Sequence, residues 1–213
     1  MSVLQSHTYD QTQRAGKPGL KPALLAVALA LPVLLGACTP PPTVEQQPPQ
    51  ITFSHLAPIR LDTRAVQVVE TYRAPFAAPN IDHVAPVPPI KVLQNWITDR
   101  LATTGGPASL TVEITNASLI EKPLARKGNL ESTFKAQPVS EITGRLAVKL
   151  AIQGDDGSTA NAEVITQRRQ TLLDNLSLAE RDQKLLDFVE GMGQDLNRQM
   201  EQEIRRHLTR FIR

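Results

Sequence analysis

The chain has 213 residues and a formal net charge of +2, from 23 lysines and arginines against 21 aspartates and glutamates. This near-neutral balance excludes the concentrated basic surface that nucleic-acid-binding proteins need. The chain contains a single cysteine, so an intramolecular disulfide is impossible and stability must come from a packed core.

The first 37 residues have the organisation of a secretory signal. Arg14, Lys17 and Lys21 precede an apolar run of about 15 residues at 22–36. A basic leader, a short apolar core and small residues before a cut are typical of an exported chain. The run is shorter than the roughly 20 residues of a transmembrane helix, and Pro32 interrupts it.

The cysteine stands at the predicted cut. Leu35, Gly36, Ala37 and Cys38 close the apolar run, and this tetrapeptide resembles the lipobox of bacterial lipoproteins. The resemblance implies that residues 1–37 are removed and that Cys38 carries a covalent diacylglycerol on its thiol and an acyl chain on its new amino terminus. Each buried CH₂ contributes about 0.8 kcal/mol, so several chains would hold the protein on a membrane. The alternative is an ordinary signal peptide followed by a buried free thiol.

Cleavage would leave 176 residues with 20 basic and 20 acidic side chains, enough for a single periplasmic domain at 51–213. Before that domain, 38–50 contains five prolines and three glutamines, which is typical of an extended tether. Its reach is roughly 30 to 40 Å at about 3.1 Å per residue. Thr39 differs from the aspartate that resembles an inner-membrane retention signal in enteric bacteria, which favours the outer over the inner membrane.

Periodicity of the apolar residues predicts the remaining elements. In chain order they are a strand at about 64–71, an irregular proline-rich segment at 73–89, a helix at about 89–103, a strand at 110–119, an exposed loop at 122–137, strands at 142–152 and 158–171, and a closing helix of about 32 residues from 177. Pro89 suits the first helical turn, Trp96 belongs to the apolar stripe, and Gly105 and Gly106 are predicted to end that helix. A Gly-Asp-Asp-Gly turn at 154–157 predicts an antiparallel hairpin.

The closing helix completes the architecture. A Ser-Leu-Ala-Glu sequence at 177–180 has the form of a capping box, and one continuous apolar stripe follows. Gly191 and Gly193 interrupt that helix, where they allow either a close approach or a bend. The order of elements predicts an α+β fold, with two helices on one face of a mostly antiparallel sheet of three to five strands.

This order, together with the lipobox, is similar to that of the ABC-type transport auxiliary lipoproteins. The resemblance covers about 59–210 and rests on the helix that ends at 96–101, the strand at 110–119, the hairpin around 154–157 and the closing helix. It implies a periplasmic lipoprotein that accompanies an envelope lipid-transport system. Other small envelope lipoproteins, which assist lipopolysaccharide assembly or activate peptidoglycan synthases, share similar topology.

The sequence contains no recognisable catalytic or metal-binding motif. His55, His83 and His207 are far apart and lack metal-ligand spacing, and no nucleophile elbow, Walker loop or dinucleotide-binding glycine motif occurs. We therefore expect no enzyme activity, no metal and no cofactor besides the acyl chains.

Two stretches remain as candidate binding surfaces. Arg205, Arg206, Arg210 and Arg213 crowd the end of the last helix. They either complement the helix dipole as a cap with a frayed tail, or contact an acidic partner or anionic lipid headgroups. The proline-rich segment at 73–89 either docks on a partner or wraps its own sheet.

The sequence as a whole predicts a non-enzymatic, lipid-anchored periplasmic accessory protein of an envelope lipid-transport or assembly complex, with envelope proteins as its partners and no nucleic acid. The alternative is a periplasmic carrier that holds a lipid or glycan in an apolar groove between sheet and helices. A third hypothesis, an unrecognised enzyme, requires a cleft that gathers His83 with acidic residues.

Overall fold

A computed structural model describes residues 48–125 and 136–213 of the chain. The elements are strand β1 (Ile59–Glu70), helix α1 (Pro89–Arg100), strands β2 (Leu101–Pro123), β3 (Pro138–Gln153) and β4 (Thr159–Leu173), helix α2 (Leu178–His207) and a short 3-10 helix (Thr209–Phe211). Cys38, the apolar run before it and most of the predicted tether lie outside the described residues.

The four strands form one sheet in the order β1-β2-β3-β4. β1 and β2 are parallel because α1 carries the chain back between them, and the other two pairs are antiparallel. The predicted α+β class, the mostly antiparallel sheet and the long C-terminal helix are therefore confirmed.

Alternate side chains of the sheet face the two helices and form the core. In β2 and β3 the buried positions recur every second residue, because successive side chains point to opposite faces of a strand. They include Leu110, Val112, Ile114, Leu146, Val148, Leu150 and Ile152. These residues belong to one packed cluster with Trp96 of α1 and Leu196 of α2. Trp96 is thus a core residue, as its position in the apolar stripe predicts.

Helix α2 begins with the predicted capping box. The Ser177 side chain accepts from the backbone N–H of Glu180, and the Glu180 carboxylate accepts from the N–H of Ser177 at 2.8 Å. The helix continues through both glycines, which are sites of close approach. A Cβ on Gly193 would lie 2.7 Å from Cγ1 of Val92 on α1, and one on Gly191 would lie 2.9 Å from the guanidinium carbon of Arg168.

The prediction that a glycine pair ends α1 near 103 is wrong. The helix ends at Arg100, and Leu101 is already extended, with φ −104° and ψ 119°. Gly105 has a φ of +79°, and a Cβ on Gly106 would lie 2.6 Å from the carbonyl carbon of Asp62. The β1–β2 register shifts at this level. The two glycines therefore form an irregularity of the β-bulge type inside β2.

The strands are longer than predicted. β1 begins at residue 59 instead of 64, and β2 has 23 residues, more than twice the predicted 110–119. Its last residues enter the predicted loop at 122–137, of which 126–135 lie outside the described residues. A long, partly polar β2 is possible because both of its edges are paired: β3 lies on one side, and β1 followed by the proline-rich segment lies on the other.

The proline-rich segment wraps the sheet. The N–H of Ile81 donates to the carbonyl of Leu119 at 2.8 Å, and the N–H of Glu121 donates to the carbonyl of Pro79 at 2.9 Å. The segment thereby covers the edge of β2 beyond the end of β1. This contact satisfies backbone groups that an open edge would leave unpaired.

Candidate functional site

The structure divides the four C-terminal arginines into two pairs. Arg206 forms an ion pair of 2.6 Å with Glu203 on the same helix, and Arg210 reaches Asp156 in the β3–β4 turn at 3.2 Å. Both ion pairs involve mostly exposed guanidiniums, so each contributes at most about 1 kcal/mol. These two arginines are therefore held by surface carboxylates and do not converge on a common site.

Arg205 and Arg213 line a common cavity of about 340 Å³, together with Arg60, Arg100 and Glu201. Arg205 donates to Glu201 at 2.7 Å, and Arg213 pairs with Asp62. The side chain of Arg60 has no hydrogen-bonding or ion-pair partner among the described residues. Four guanidiniums and one carboxylate thus line this space, which we call the arginine cavity, and they suit an anionic group.

The wall of the arginine cavity is held by a buried charge. Arg100, only 3 % exposed, donates to Asn197 Oδ1 at 2.9 Å and to Glu201 Oε2 at 3.1 Å, and also donates to the carbonyl of Ala57. Trp96 Nε1 donates to the same Asn197 oxygen at 3.0 Å. A buried guanidinium needs such partners because isolated burial of a charge is costly.

Arg100 was not predicted from the sequence as a residue of this site. The available signal was its position four residues after Trp96, which places it on the buried stripe of α1.

The two carboxylates at the arginine cavity, Glu201 and Asp62, are held in their charged form. The hydrogen bond from Arg205 and the charge of Arg100 lower the pKa of Glu201. The hydrogen bond from Arg213 lowers the pKa of Asp62, and Asp62 in turn raises the pKa of Arg213. All of these groups are therefore ionised at neutral pH, and the lining of the arginine cavity keeps its excess of positive charge.

A second cavity, of about 400 Å³, lies at the start of α1; most of its exposed surface is apolar, but Glu70, Asp82 and His83 also line it. It therefore gathers His83 with two acidic residues, which is the arrangement that the hypothesis of an unrecognised enzyme requires, and that hypothesis stays open. Tyr72, Phe76, His83 and Ile90 are among the lining residues. Phe76 is 72 % exposed and has a φ of +53°, and its ring centroid lies 5.5 Å from that of His83. We call this space the apolar cavity.

A buried carboxylate, Asp82, fixes the apolar cavity. It accepts the N–H of Leu119 at 2.7 Å and the hydroxyl of Tyr72 at 2.5 Å. Burial and then the neighbouring Asp82 raise the pKa of Tyr72. The carboxylate of Asp82 thereby fastens the proline-rich segment to Leu119 of β2 and to the hydroxyl of Tyr72.

The histidines occupy separate places. His83 lines the apolar cavity next to Asp82, and His207 lies 3.1 Å from Glu203 on α2. Within 48–125 and 136–213, no group of three or more His, Cys, Asp or Glu side chains could hold a metal ion. No helix in the same ranges is long and apolar enough to cross a membrane.

Comparison with known proteins found no matching family model and no matching curated sequence. Among solved structures, the chain is similar to a minor lipoprotein from Acinetobacter baumannii, with 11 % identity and a TM-score of 0.34 over 69 % of this chain and 96 % of that one. It is also similar to rare lipoprotein B from Shewanella oneidensis, with 13 % identity and a TM-score of 0.33 over 64 % and 91 %.

A third similar structure is lipoprotein GNA1162 from Neisseria meningitidis, with 14 % identity and a TM-score of 0.19 over 62 % of this chain and 95 % of that one. At these TM-scores the likenesses carry no argument about function.

Proposed function

We propose that the protein is a non-enzymatic, lipid-anchored accessory protein that serves a lipid-transport or assembly complex of the bacterial envelope. The observation that carries this proposal is the tetrapeptide Leu35, Gly36, Ala37 and Cys38 at the end of a short apolar run, followed by a proline-rich tether. The proposed location is the periplasmic side of the envelope, on the outer rather than the inner membrane.

The attachment of the tether to the domain supports this proposal. Ile51 and Phe53 are buried. Asn95 donates its amide to the carbonyl of Ile51 at 2.8 Å, and the N–H of Phe53 donates to Asp99 Oδ2 at 2.7 Å. The first residues after the tether are therefore fastened to α1, so an anchor at Cys38 would hold the folded core itself near the membrane.

The arginine cavity is the proposed contact for an acidic partner or an anionic headgroup. Arg205 and Arg213 keep more than half of their side-chain surface exposed, and Arg60 has no partner among the described residues. Carboxylates and phosphates match the planar, bidentate donors of arginine. An acidic protein surface of an envelope complex could dock here without displacing the buried Arg100.

The apolar cavity is the observation that favours the second candidate, a periplasmic carrier of a lipid or glycan. Its volume of about 400 Å³ is within the range of small-molecule sites. The described interior between the sheet and the helices is instead filled by one packed cluster, which counts against a groove in that place. Mass spectrometry of lipids extracted from the purified protein distinguishes the two candidates, since a carrier retains one stoichiometric ligand.

The proposal is tested by cross-linking in intact cells, followed by affinity purification of the membrane-extracted protein. We expect recovery of a transporter or assembly protein of the envelope, and loss of that protein when Cys38→Ala removes the anchor. Arg213→Ala should weaken recovery, whereas Arg206→Ala, outside the arginine cavity, should not. Equal recovery with Cys38→Ala would contradict the need for an anchor.

A further inference from the structure

Exposed apolar side chains gather at one end of the described domain. Seven large apolar residues are exposed in the described ranges; three of them lie just beyond β2, at the end of β4 and at the start of α2, and two lie on the proline-rich segment that pairs with the last part of β2. These five are Phe76, Val84, Leu124, Leu173 and Leu178. The other two, Val68 and Ile165, lie within strands β1 and β4.

Backbone pairing and an ion pair place these five residues at a common end. The N–H of Leu124 donates to the carbonyl of Val139, and Leu173 is opposite Pro138. Arg181 on the first turns of α2 contacts Glu121 of β2 at 2.8 Å. The proline-rich segment that carries Phe76 and Val84 runs beside β2 at the same level. We call this surface the apolar end.

The opposite end of the domain carries most of the ion pairs of the described residues, whereas the apolar end holds the pair between Glu121 and Arg181. Helices α1 and α2 run parallel to each other, because Val92 lies against Gly193 and Arg100 against Glu201. The C-terminal end of α2 therefore lies at the end of α1 that is farthest from Pro89. Ion pairs cover this opposite end, including Arg64 with Asp155, Arg210 with Asp156 and Arg213 with Asp62.

The chain enters the domain from the side of the apolar end. Ile51 is bound to Asn95 and Phe53 to Asp99, so 51–53 runs in the same direction as α1. Traced backwards from Ile51, the chain therefore heads for the start of α1, which lines the apolar cavity with Phe76. Cys38 precedes Pro48 by ten positions, a reach of about 30 Å in an extended polyproline conformation.

We propose that the apolar end is a second membrane contact, which rests on the lipid surface that the anchor at Cys38 reaches. This inference depends on the proposed lipid anchor. Exposed aromatic and aliphatic side chains are stabilised at a membrane interface, because their apolar surface is removed from water there. Phe76 is held outward by a backbone conformation that non-glycine residues seldom adopt, on a segment that Asp82 fixes to the sheet. The arginine cavity is then directed away from the membrane, which favours an acidic partner in the periplasm over the headgroups of that membrane as its contact.

The test uses the processed, lipidated protein, in which acylation of Cys38 leaves no free thiol, with one introduced cysteine at a time. Val84→Cys and Leu178→Cys place an environment-sensitive fluorophore at the apolar end. Ile165→Cys is the matched control, because Ile165 is also apolar and 48 % exposed but lies within β4. Thr159→Cys, at the start of β4, reports the opposite end. Each labelled protein is reconstituted into vesicles of phosphatidylethanolamine and phosphatidylglycerol, some with nitroxide-labelled lipid.

We expect blue-shifted emission and quenching by the nitroxide lipid at positions 84 and 178, and neither at positions 165 and 159. If the protein floats with the vesicles but the fluorophores at 84 and 178 emit as they do in water, this inference is overturned, while the proposed lipid anchor is not. The same result followed by a blue shift on addition of an envelope protein would also overturn it, because a protein would then cover the apolar end. Failure of the protein to float would overturn the anchor itself.

Discussion

Trp96 and Arg100, one turn apart on α1, donate to a single oxygen of α2: Asn197 Oδ1 lies 3.0 Å from Trp96 Nε1 and 2.9 Å from Arg100 Nε. One amide oxygen therefore satisfies two buried donors, one of them charged. This arrangement joins the hydrophobic core to the wall of the arginine cavity.

Asn197→Ala should destabilise the fold by about 3 kcal/mol, because a buried indole N–H and a buried guanidinium would both lose a partner. Urea unfolding followed by circular dichroism measures the change. Gln199→Ala, an exposed position on the same helix, is the matched control and should change stability by less than about 0.5 kcal/mol. Equal unfolding midpoints for the two variants would contradict the role assigned to Asn197.

The two glycines of α2 should respond in opposite directions to alanine. A Cβ on Gly193 would meet Cγ1 of Val92 at 2.7 Å and Cζ of Phe53 at 3.1 Å, both in the core, so Gly193→Ala should cost about 1–3 kcal/mol. A Cβ on Gly191 meets only the far end of Arg168, a partly exposed side chain that can shift although it donates to the Gly191 carbonyl and to Asp195. Gly191→Ala should therefore be neutral or stabilising by up to about 1 kcal/mol, from helix propensity. Thermal unfolding of both variants decides this, and a destabilised Gly191→Ala would count against it.

Several local signals in the sequence were sufficient to predict their elements. The capping box at 177–180 and the unbroken apolar period defined α2, and the Gly-Asp-Asp-Gly turn defined the β3–β4 hairpin. In each case the residues that decide the structure are near neighbours in the chain. Local patterns are therefore reliable here.

The end of α1 and the length of β2 depend instead on distant residues. Gly106 is required by the approach of Asp62 in β1, and the last part of β2 is stabilised by the proline-rich segment. Likewise, the sequence singled out Arg205 and Arg213. Arg60 and Arg100 line the same cavity only because segments more than 100 residues apart in the chain meet there. Neither periodicity nor spacing carries such information.

Tyr72 should resist ionisation in alkaline solution. Burial and the neighbouring carboxylate of Asp82 raise its pKa above the ordinary value of 10.0, because both disfavour a second negative charge. The other tyrosine of the chain, Tyr9, lies in the predicted signal peptide, so in a protein that begins at Cys38 ultraviolet difference absorbance reports Tyr72 alone. We expect little tyrosinate at pH 11 while circular dichroism shows the fold intact.

In Asp82→Asn, the tyrosine should titrate closer to its ordinary pKa, since the charge is removed while burial remains. Hydrogen exchange of residues 74–88 should also become faster in this variant, because the N–H of Leu119 loses its carboxylate acceptor. Ordinary titration of Tyr72 in the folded wild-type protein would contradict the assigned contact.

Stability should fall in acid through the ion pair between Glu121 and Arg181. Burial tends to raise the pKa of Glu121, but hydrogen bonds from Arg181 and Ser140 and the charge of Arg181 lower it overall from 4.5. A lowered folded-state pKa contributes stability above the unfolded value that is lost as pH falls through the folded value. The contribution of this pair should therefore be complete at pH 6, should begin to decline near the unfolded value of 4.5, and should be lost only as pH falls through the lower folded-state pKa.

Glu121→Gln should lose about 1 kcal/mol at pH 6 and show a smaller decline in acid than the wild type. Urea unfolding between pH 3 and pH 7 measures both effects. Glu163→Gln, on an exposed residue of β4, is the matched control and should follow the wild-type profile. A Glu121→Gln profile with the full wild-type slope would show that other carboxylates govern the acid response.

The lipid anchor is tested most directly by the intact mass of the protein purified from the membrane of a bacterial host. We predict a chain that begins at Cys38 and is heavier than the polypeptide by a diacylglyceryl group and one further acyl chain, and we predict that Cys38→Ala accumulates with residues 1–37 still attached. A wild-type product that begins elsewhere, or that carries a free thiol at Cys38, would contradict the account of this protein as a lipid-anchored envelope component.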